Sequence, residues 1–171
     1  MELDNIKVRV DKPYPKIVGA MPDQMTVNIL KNLAQSRTSE LTAILQYVYQ
    51  SVIADKSMEE IGGIFEEIGI VEMTHLDMLM HAITEFGGIP KYEDSLGNQF
   101  NTNYINYNTK LKDMLDNNIV AEQRAIDQYK DGIKRVKNES LKDLFARIIE
   151  DEQQHIKVFK YLKDSVQFLS I

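Results

Sequence analysis

Two stretches of this 171-residue chain carry the same order of acidic, tyrosine and histidine residues. In each stretch a Glu is followed at +7 by a Tyr, and then by a Glu-x-x-His pair that begins at +32 in the first stretch and at +30 in the second. The two sets are Glu40, Tyr47, Glu72 and His75, and Glu122, Tyr129, Glu152 and His155. One Glu-x-x-His pair is common by chance, whereas two pairs with matched upstream residues indicate a duplicated helical hairpin.

Apolar residues recur every three or four positions in four segments, which is the period of an amphipathic helix. This pattern predicts helices over about 25–54, 57–86, 110–136 and 141–169, and the apolar positions of the first include Val48 and Val52. Ser57, with Glu60 three residues later, is a candidate N-cap of the second helix. The run Gly87-Gly88-Ile89-Pro90 predicts the end of that helix.

The non-helical segments define the domain plan. Three of the four prolines precede Met25, so we expect residues 1–24 to form an extended arm and residues 25–171 to form one helical domain. Residues 87–109 show no helical period, and a segment of that length can return along a whole helix. The prediction is an all-α fold, a four-helix bundle with one long crossover between helices 2 and 3.

Six ionisable residues fall inside the predicted apolar stripes when positions are spaced by 100°: Glu40, Glu72, His75, Glu122, Glu152 and His155. A lone carboxylate is costly to bury, and no Lys or Arg lies near the centre of any stripe. Two divalent cations would neutralise four carboxylates, and two imidazoles would complete the coordination. The pattern therefore predicts a two-metal site, and the alternative is a buried polar network in a metal-free structural bundle.

Composition limits the chemistry. The 20 Lys+Arg against 26 Asp+Glu give a net charge of −6 without a basic run, which argues against nucleic acid as a partner. The sequence has no Cys, so disulfides, zinc–thiolate sites and cysteine-ligated iron–sulfur clusters are excluded from it. No apolar stretch approaches the roughly 20 residues that span a bilayer, so we expect no membrane association and a cytoplasmic protein. Oxygen and imidazole ligands favour iron or manganese.

These residues resemble the ferritin-like di-iron carboxylate proteins, especially bacterioferritin and the rubrerythrins, over about residues 30–165. The most similar stretches are ELTAILQY at 40–47, EMTH at 72–75 with the following GGIP, and EDEQQH at 150–155. The resemblance implies that the six core-facing residues are the metal ligands, and that Glu72 and Glu152 bridge the two metals. Glu122 is assigned by its helical face, because its distance from Glu152 is shorter than the usual bacterioferritin spacing.

Three further positions are candidates around that ligand set. The resemblance implies that Tyr47 and Tyr129 each donate a hydrogen bond to a ligand glutamate across the bundle, and a redox role and simple core packing are both open to them. Asp151 is expected either to orient His75 or to be a solvated helix-face carboxylate. Val71 occupies the matching place in the first half, so His155 would lack such a partner and the two metals would differ in affinity.

The resemblance also sets expectations for cofactors. Met73 stands where bacterioferritin has its haem-ligating methionine, but haem is not the expected cofactor. His81 lies about 180° from Glu72 on the same helix and is expected at the surface. Two metal ions are expected, iron first and manganese as the alternative.

The first functional hypothesis is an oxidoreductase whose di-iron centre reacts with hydrogen peroxide or dioxygen, as a rubrerythrin-like peroxidase or a ferroxidase. Rubrerythrins usually carry a rubredoxin domain whose iron is held by four Cys, and this sequence has no Cys. The resemblance therefore implies that electrons would come from a separate donor protein. The alternatives are dimanganese catalase-like peroxide disproportionation and bacterioferritin-like iron storage. Only a few residues follow the fourth predicted helix, so we expect a homodimer or small homo-oligomer rather than a storage cage.

Overall fold

The computed structural model describes residues 6–54 and 58–169, with side chains described as far as residue 165. The candidate cap at Ser57 lies outside these residues. Within them the chain forms five α-helices and one short 3-10 turn at Thr102–Tyr104. The helices are α1 (Gln24–Gln35), α2 (Glu40–Ala54), α3 (Glu59–Glu85), α4 (Leu111–Arg135) and α5 (Glu139–Leu169).

The helices pair into two hairpins. α2 packs along α3 and α4 packs along α5, while α1 packs mainly on α3. α1 and α2 together take the place of the first predicted helix, and residues 86–110 connect the two hairpins. This arrangement confirms the predicted all-α four-helix bundle with one crossover.

The prediction of one continuous helix over 25–54 was wrong, because the helix is interrupted at residues 36–39. The hydroxyls of Ser39 and Thr42 both donate to the Ser36 carbonyl oxygen, at 2.7 and 3.0 Å, and the Ser36 hydroxyl donates to the Thr38 carbonyl at 3.1 Å. Short hydroxyl side chains compete in this way with helical backbone hydrogen bonds. As a result, Glu40 is the first residue of α2.

The end of α3 follows the Gly87-Gly88 signal. The Gly87 N–H donates to the Thr84 carbonyl at 3.0 Å, and the Gly88 N–H donates to the Ile83 carbonyl at 2.8 Å. Gly87 has φ +84°, the left-handed conformation that this two-bond helix end requires. The predicted helix end is confirmed, and it directs the chain into the crossover.

Two apolar clusters form the core. One includes Leu79 and Phe145 and fills the bundle around α1. The other includes Ile68 and Phe159 and fills the bundle around the end of α2. The ionisable residues of α3 and α5 lie between these positions in sequence, so the candidate site forms a polar layer between two hydrocarbon layers.

The apolar stripe predicted for α2 was partly wrong. Val48 and Val52 are 51% and 59% exposed, because α2 instead buries the amides of Gln46 and Gln50. Both glutamines donate to Asn118 Oδ1 on α4, at 2.9 and 3.1 Å, and Asn118 Nδ2 donates to Gln50 Oε1 at 2.7 Å. A buried amide cluster is tolerated when its groups bond to one another in this way.

The non-helical segments are tied to the bundle. In the crossover, Glu93 forms an ion pair of 2.8 Å with Lys31, and the Asn106 N–H donates to Gln46 Oε1 at 3.0 Å. Residues 6–22 are not helical, and this arm contacts α5 through residues described below. None of the helices in the described ranges has the length and apolar character needed to cross a membrane.

Candidate metal centre

The six core-facing ionisable residues come together in one buried layer, each at most 4% exposed. Glu40 lies on α2, Glu122 on α4, and the two Glu-x-x-His pairs lie on α3 and α5. Because Glu and His at i, i+3 project from the same side of a helix, each pair presents a carboxylate and an imidazole to the same point. The helical period therefore explains how six residues from four helices meet.

These residues form two overlapping groups. Within each group, one potential ligand atom from every residue lies within 4.8 Å of the others. The groups are Glu40, Glu72, His75 and Glu152, and Glu72, Glu122, Glu152 and His155. Glu72 and Glu152 belong to both groups, so two ions placed there would share two carboxylates, an arrangement that helical bundles use for di-metal sites.

The two imidazoles present the same ring nitrogen to the carboxylates. His75 Nδ1 lies 3.1 Å from Glu72 Oε2 and 3.4 Å from Glu152 Oε1. His155 Nδ1 lies 3.1 Å from Glu152 Oε2 and 3.1 Å from Glu72 Oε1. The ring centroids are 6.4 Å apart. The two halves of the layer thus repeat one geometry, as the sequence repeat predicts.

Burial and neighbouring negative charge raise the pKa values of the two outer glutamates. Burial, followed by the charge of Glu72, raises the pKa of Glu40 well above its ordinary value. Burial, followed by the charges of Glu152 and Glu72, raises the pKa of Glu122 in the same way. Both outer glutamates are therefore harder to ionise than a glutamate in water.

The two shared glutamates and the two imidazoles favour each other's charged forms. Burial opposes ionisation of Glu72, but the charge of His155 and the contacts with both imidazoles hold its pKa below the ordinary value, and the pKa of Glu152 is also lowered. Burial disfavours the charged imidazoles as well, yet the carboxylates around them raise the pKa of His75 and of His155 well above 6.5.

The donor set fits a pair of metal ions. Glu72 Oε1 and Glu152 Oε1 are buried, and within the described part of the chain each lies near an imidazole nitrogen, at 3.1 and 3.4 Å, without a well-aligned hydrogen bond. A buried carboxylate oxygen without an aligned donor is costly in a protein interior. Both belong to the glutamates that the two groups share, which is where oxygens that bridge two cations would be needed.

Two buried tyrosines hold the outer glutamates from across the bundle. The Tyr47 hydroxyl donates to Glu122 Oε1, and the Tyr129 hydroxyl donates to Glu40 Oε1. Burial, followed by the charge of the glutamate that each contacts, raises the pKa of both tyrosines well above 10, so their hydroxyls stay protonated donors. A redox role for either tyrosine stays a prediction.

Asp151 lies beside His75, on the side of the imidazole ring that faces away from the glutamates. Its Oδ2 is 3.2 Å from His75 Nε2, and it accepts a hydrogen bond of 2.6 Å from the Tyr14 hydroxyl. Its Oδ1 lies 2.9 Å from the Arg147 guanidinium. Burial opposes ionisation of Asp151, but these partners hold its pKa below the ordinary range. Asp151 is fully buried, so the alternative of a solvated helix-face carboxylate was wrong.

Tyr14 and Arg147 were not identified from the sequence. Arg147 precedes Asp151 by four residues, a spacing at which opposite charges pair on a helix, so that signal was available. Tyr14 is 137 residues away from Asp151, and no local pattern indicates the contact.

Two other candidates lie away from the layer. Met73 is 55% exposed on α3, and nothing in the structure tests a role for it as a haem ligand. The His81 side chain is 75% exposed, with Nε2 3.7 Å from Asp77 Oδ1, which confirms the predicted surface position.

A solvent-open cavity of about 220 Å³ reaches the layer between α2, α4 and the crossover. Its inner wall includes all four glutamates, and its outer wall is polar and cationic, with Arg37, Tyr104, Asn106 and Arg124 among its residues. The interruption between α1 and α2 contributes part of the wall. The cavity gives small molecules a route to the buried carboxylates.

The bundle, the six-residue layer and the shared pair of glutamates define a ferritin-like di-metal carboxylate protein. The sequence model of the rubrerythrin family matches residues 31–163. Because this match covers most of the chain, the protein belongs to the rubrerythrin family.

Relatives of two kinds are similar to this chain. A bacterioferritin of Mycolicibacterium paratuberculosis is 24% identical over 145 residues, covering 82% of this chain and 85% of the relative. A probable manganese catalase of Clostridium acetobutylicum is 20% identical over 187 residues, covering 96% of this chain and 78% of the relative.

Solved structures have the same fold. The manganese catalase KatB of Anabaena PCC7120 superposes with a TM-score of 0.84 at 24% identity, covering 93% of this chain and 80% of KatB. A bacterioferritin of Rhodobacter capsulatus, whose dinuclear site is metal-free, superposes with a TM-score of 0.74 at 22% identity, covering 87% of this chain and 89% of that protein.

Proposed function

We propose that this protein is a di-metal oxidoreductase that reacts with hydrogen peroxide or dioxygen, with iron as the first candidate metal. The observation that carries the proposal is the buried layer of four glutamates and two histidines, in which two glutamates belong to both four-residue groups. Two divalent cations would balance the four carboxylates in a core that otherwise consists of hydrocarbon.

In this proposal each ion has its own pair of ligands. Glu40 and His75 would hold one ion, Glu122 and His155 would hold the other, and Glu72 and Glu152, which belong to both groups, would be shared by the two ions. Two redox-active ions would supply the two electrons with which one H2O2 and two protons become two molecules of water.

The other residues around the centre have supporting roles. Tyr47 and Tyr129 fix the outer glutamates by hydrogen bonds, so these carboxylates keep one orientation whether or not an ion is bound. The apolar clusters exclude water from two sides of the layer, which strengthens its electrostatic interactions. The cavity between α2 and α4 admits the oxidant.

A peroxidase requires an electron donor, and we propose a separate donor protein for this role. The second candidate is a manganese catalase-like reaction, in which two H2O2 give two H2O and one O2 without a donor. It is favoured by the similarity to manganese catalases over most of the chain. Ferroxidase activity, with ferrous iron as the substrate, uses the same ligand layer.

Metal analysis and peroxide turnover separate these candidates. The protein purified from its own host should contain two metal ions per chain. A peroxidase consumes peroxide only with a reductant and evolves no oxygen, whereas a catalase evolves one O2 per two H2O2 without a reductant. A protein that contains iron and evolves no oxygen supports the first candidate.

Matched variants test the ligand layer itself. Glu72→Ala should abolish both metal content and peroxide consumption, because it removes a carboxylate that both ions share. Glu67→Gln removes an exposed charge from the same helix and should change neither. If Glu72→Ala retains two ions per chain and full activity, the layer is structural and the proposal is refuted.

We also propose that the protein is cytoplasmic and that it forms a homodimer or a small homo-oligomer. The exposed apolar side chains of α2 and α3 support self-association, among them Val48, Val52, Ile70 and Met73. Bacterioferritin-like storage predicts instead a large hollow assembly with many irons per chain. A sizing column with light scattering distinguishes the two assemblies.

A further inference from the structure

The N-terminal arm is locked onto α5 beside the candidate metal centre. The Val10 N–H donates to Asp151 Oδ1 at 2.8 Å, and the Tyr14 hydroxyl donates to Asp151 Oδ2 at 2.6 Å. In return, the Arg147 guanidinium donates to the carbonyl oxygens of Val10 and Lys12 at 2.8 and 2.9 Å. Asp151 is fully buried and Arg147 is 2% exposed, so these charge-assisted bonds form in a site screened from water.

This contact extends to a candidate ligand. The Tyr14 oxygen lies 3.3 Å from His75 Nε2, and the edge of its ring packs against the imidazole at a centroid distance of 5.9 Å. Arg147 Cζ lies 4.5 Å from the centroid of the Tyr14 ring, on the tyrosine's face. The side of His75 that faces away from the carboxylates is therefore held by Asp151 and by the arm together.

In the other half of the layer, the described residues form no equivalent contact. Val71 occupies on α3 the position that Asp151 occupies on α5, one residue before the shared glutamate. His155 Nε2 is buried and has no hydrogen-bond partner among the described residues. The carboxylate contacts of the two imidazoles are otherwise alike, so the difference between the two halves lies outside the ligands.

We propose that the N-terminal arm, with Tyr14 as a positioning residue, makes the two metal positions unequal. The position held by Glu40 and His75 binds its ion more tightly and fills first. The position held by Glu122 and His155 fills second. This inference rests on the proposed two-metal centre, and it assigns a function to a segment that contributes no ligand.

The physical reason is preorganisation. An outer hydrogen-bond partner fixes the orientation and the tautomer of a ligating histidine, and loss of such a partner typically weakens metal binding by about 10–100-fold. Tyr14 fixes Asp151, and Asp151 fixes His75, whereas His155 Nε2 has no hydrogen-bond partner among the described residues.

The test is a Mn²⁺ titration of the metal-free full-length protein, with free Mn²⁺ followed by electron paramagnetic resonance. The wild type should bind two ions, the first about tenfold or more tighter than the second. Tyr14→Phe, which removes only a hydroxyl, should weaken the tighter position about tenfold and leave the weaker one within twofold. Tyr49→Phe removes a surface hydroxyl that donates to the Tyr107 carbonyl, and it should leave both positions unchanged.

Two double variants show which position Tyr14 serves. In a Glu122→Gln background the remaining ion lies at His75, so adding Tyr14→Phe should weaken its binding about tenfold. In a Glu40→Gln background the remaining ion lies at His155, so the same addition should have no effect. A general loss of folding would lower binding in both backgrounds.

The outcomes separate this inference from the proposed function. A wild type that binds fewer than two Mn²⁺ contradicts the two-metal centre. A wild type that binds two equivalent ions, or a Tyr14→Phe variant that affects both positions equally or neither, overturns the role of the arm and leaves the centre intact.

Discussion

Loading the metal centre at pH 7 should release about four protons for every two divalent ions bound. The pKa values of Glu40, Glu122, His75 and His155 are all raised, so we expect each of these residues to hold one proton until an ion binds. All four protons must leave, because metal ligands bind in their deprotonated forms. The exchange of four protons for two divalent ions would leave the net charge of the layer unchanged.

The size of the effect follows from mass action. Each proton released makes the overall binding constant change about tenfold per pH unit, so four protons shared by two ions correspond to about 100-fold per ion per pH unit. This slope applies below the raised pKa values of the four groups and flattens as the pH rises through them. The affinity for Mn²⁺ should therefore rise steeply across neutral pH.

Calorimetry measures the proton count directly. Mn²⁺ is titrated into the metal-free protein in two buffers with different ionisation enthalpies, and the difference in heat gives the protons released. In Glu122→Gln only the ion held by Glu40 and His75 remains, so the count should fall to about two. Glu67→Gln, on the exposed side of α3, should leave it at about four. Release of one proton or none, or an affinity that does not change with pH, would refute the charge assignment.

Four other results are expected. A group with a raised folded pKa stabilises the protein fully at pH values below its ordinary pKa, and this contribution is lost as the pH rises through the folded pKa. Without metal, the free energy of unfolding should therefore fall above about pH 4.5, because of Glu40 and Glu122, and fall further above about pH 6.5, because of His75 and His155. Thermal melts at several pH values test this, and excess Mn²⁺ should remove the decline. Gly87→Ala should lower the free energy of unfolding by about 1–2 kcal/mol because of its left-handed φ, whereas Gly63→Ala, in open space on α3, should be neutral or stabilising in the same denaturant titration. Asn118→Ala should cost about 2 kcal/mol or more in that titration, because it leaves two buried glutamine amides without their partner. Ala125→Trp, in the cavity wall, should slow peroxide consumption while the metal content stays at the wild-type level, and equal loss of both would argue against the cavity as the access route.

The helical frame and the ligand layer could be predicted because both depend on local periodicity. Glu122, for example, could be assigned to the core-facing side of its helix from the apolar residues three and four positions away. This assignment did not depend on its distance from Glu152, which differs from the bacterioferritin spacing. The same reasoning placed His81 on the surface. Periodicity is sufficient here because the helix itself fixes which side chains share a face.

The other features depend on partners that are distant in sequence. The exposure of Val48 reflects the buried amide of Gln46, whose partner Asn118 lies 72 residues further along the chain. The contact between Tyr14 and Asp151 likewise joins residues that lie 137 positions apart. The break before Glu40 has a local cause, the Ser and Thr residues at 36–39. The apolar period continues on both sides of these residues, and it predicts a continuous helix.

The break between α1 and α2 separates two tasks within one polypeptide. Residues 37–39 line the cavity, yet they lie outside any helix and outside the buried ligand layer. Substituting Arg37 or Thr38 changes the cavity wall and leaves in place the hydroxyls of Ser36 and Ser39, which shape the break. The access route can therefore be altered at these two positions while the helices that carry the glutamates keep their backbone.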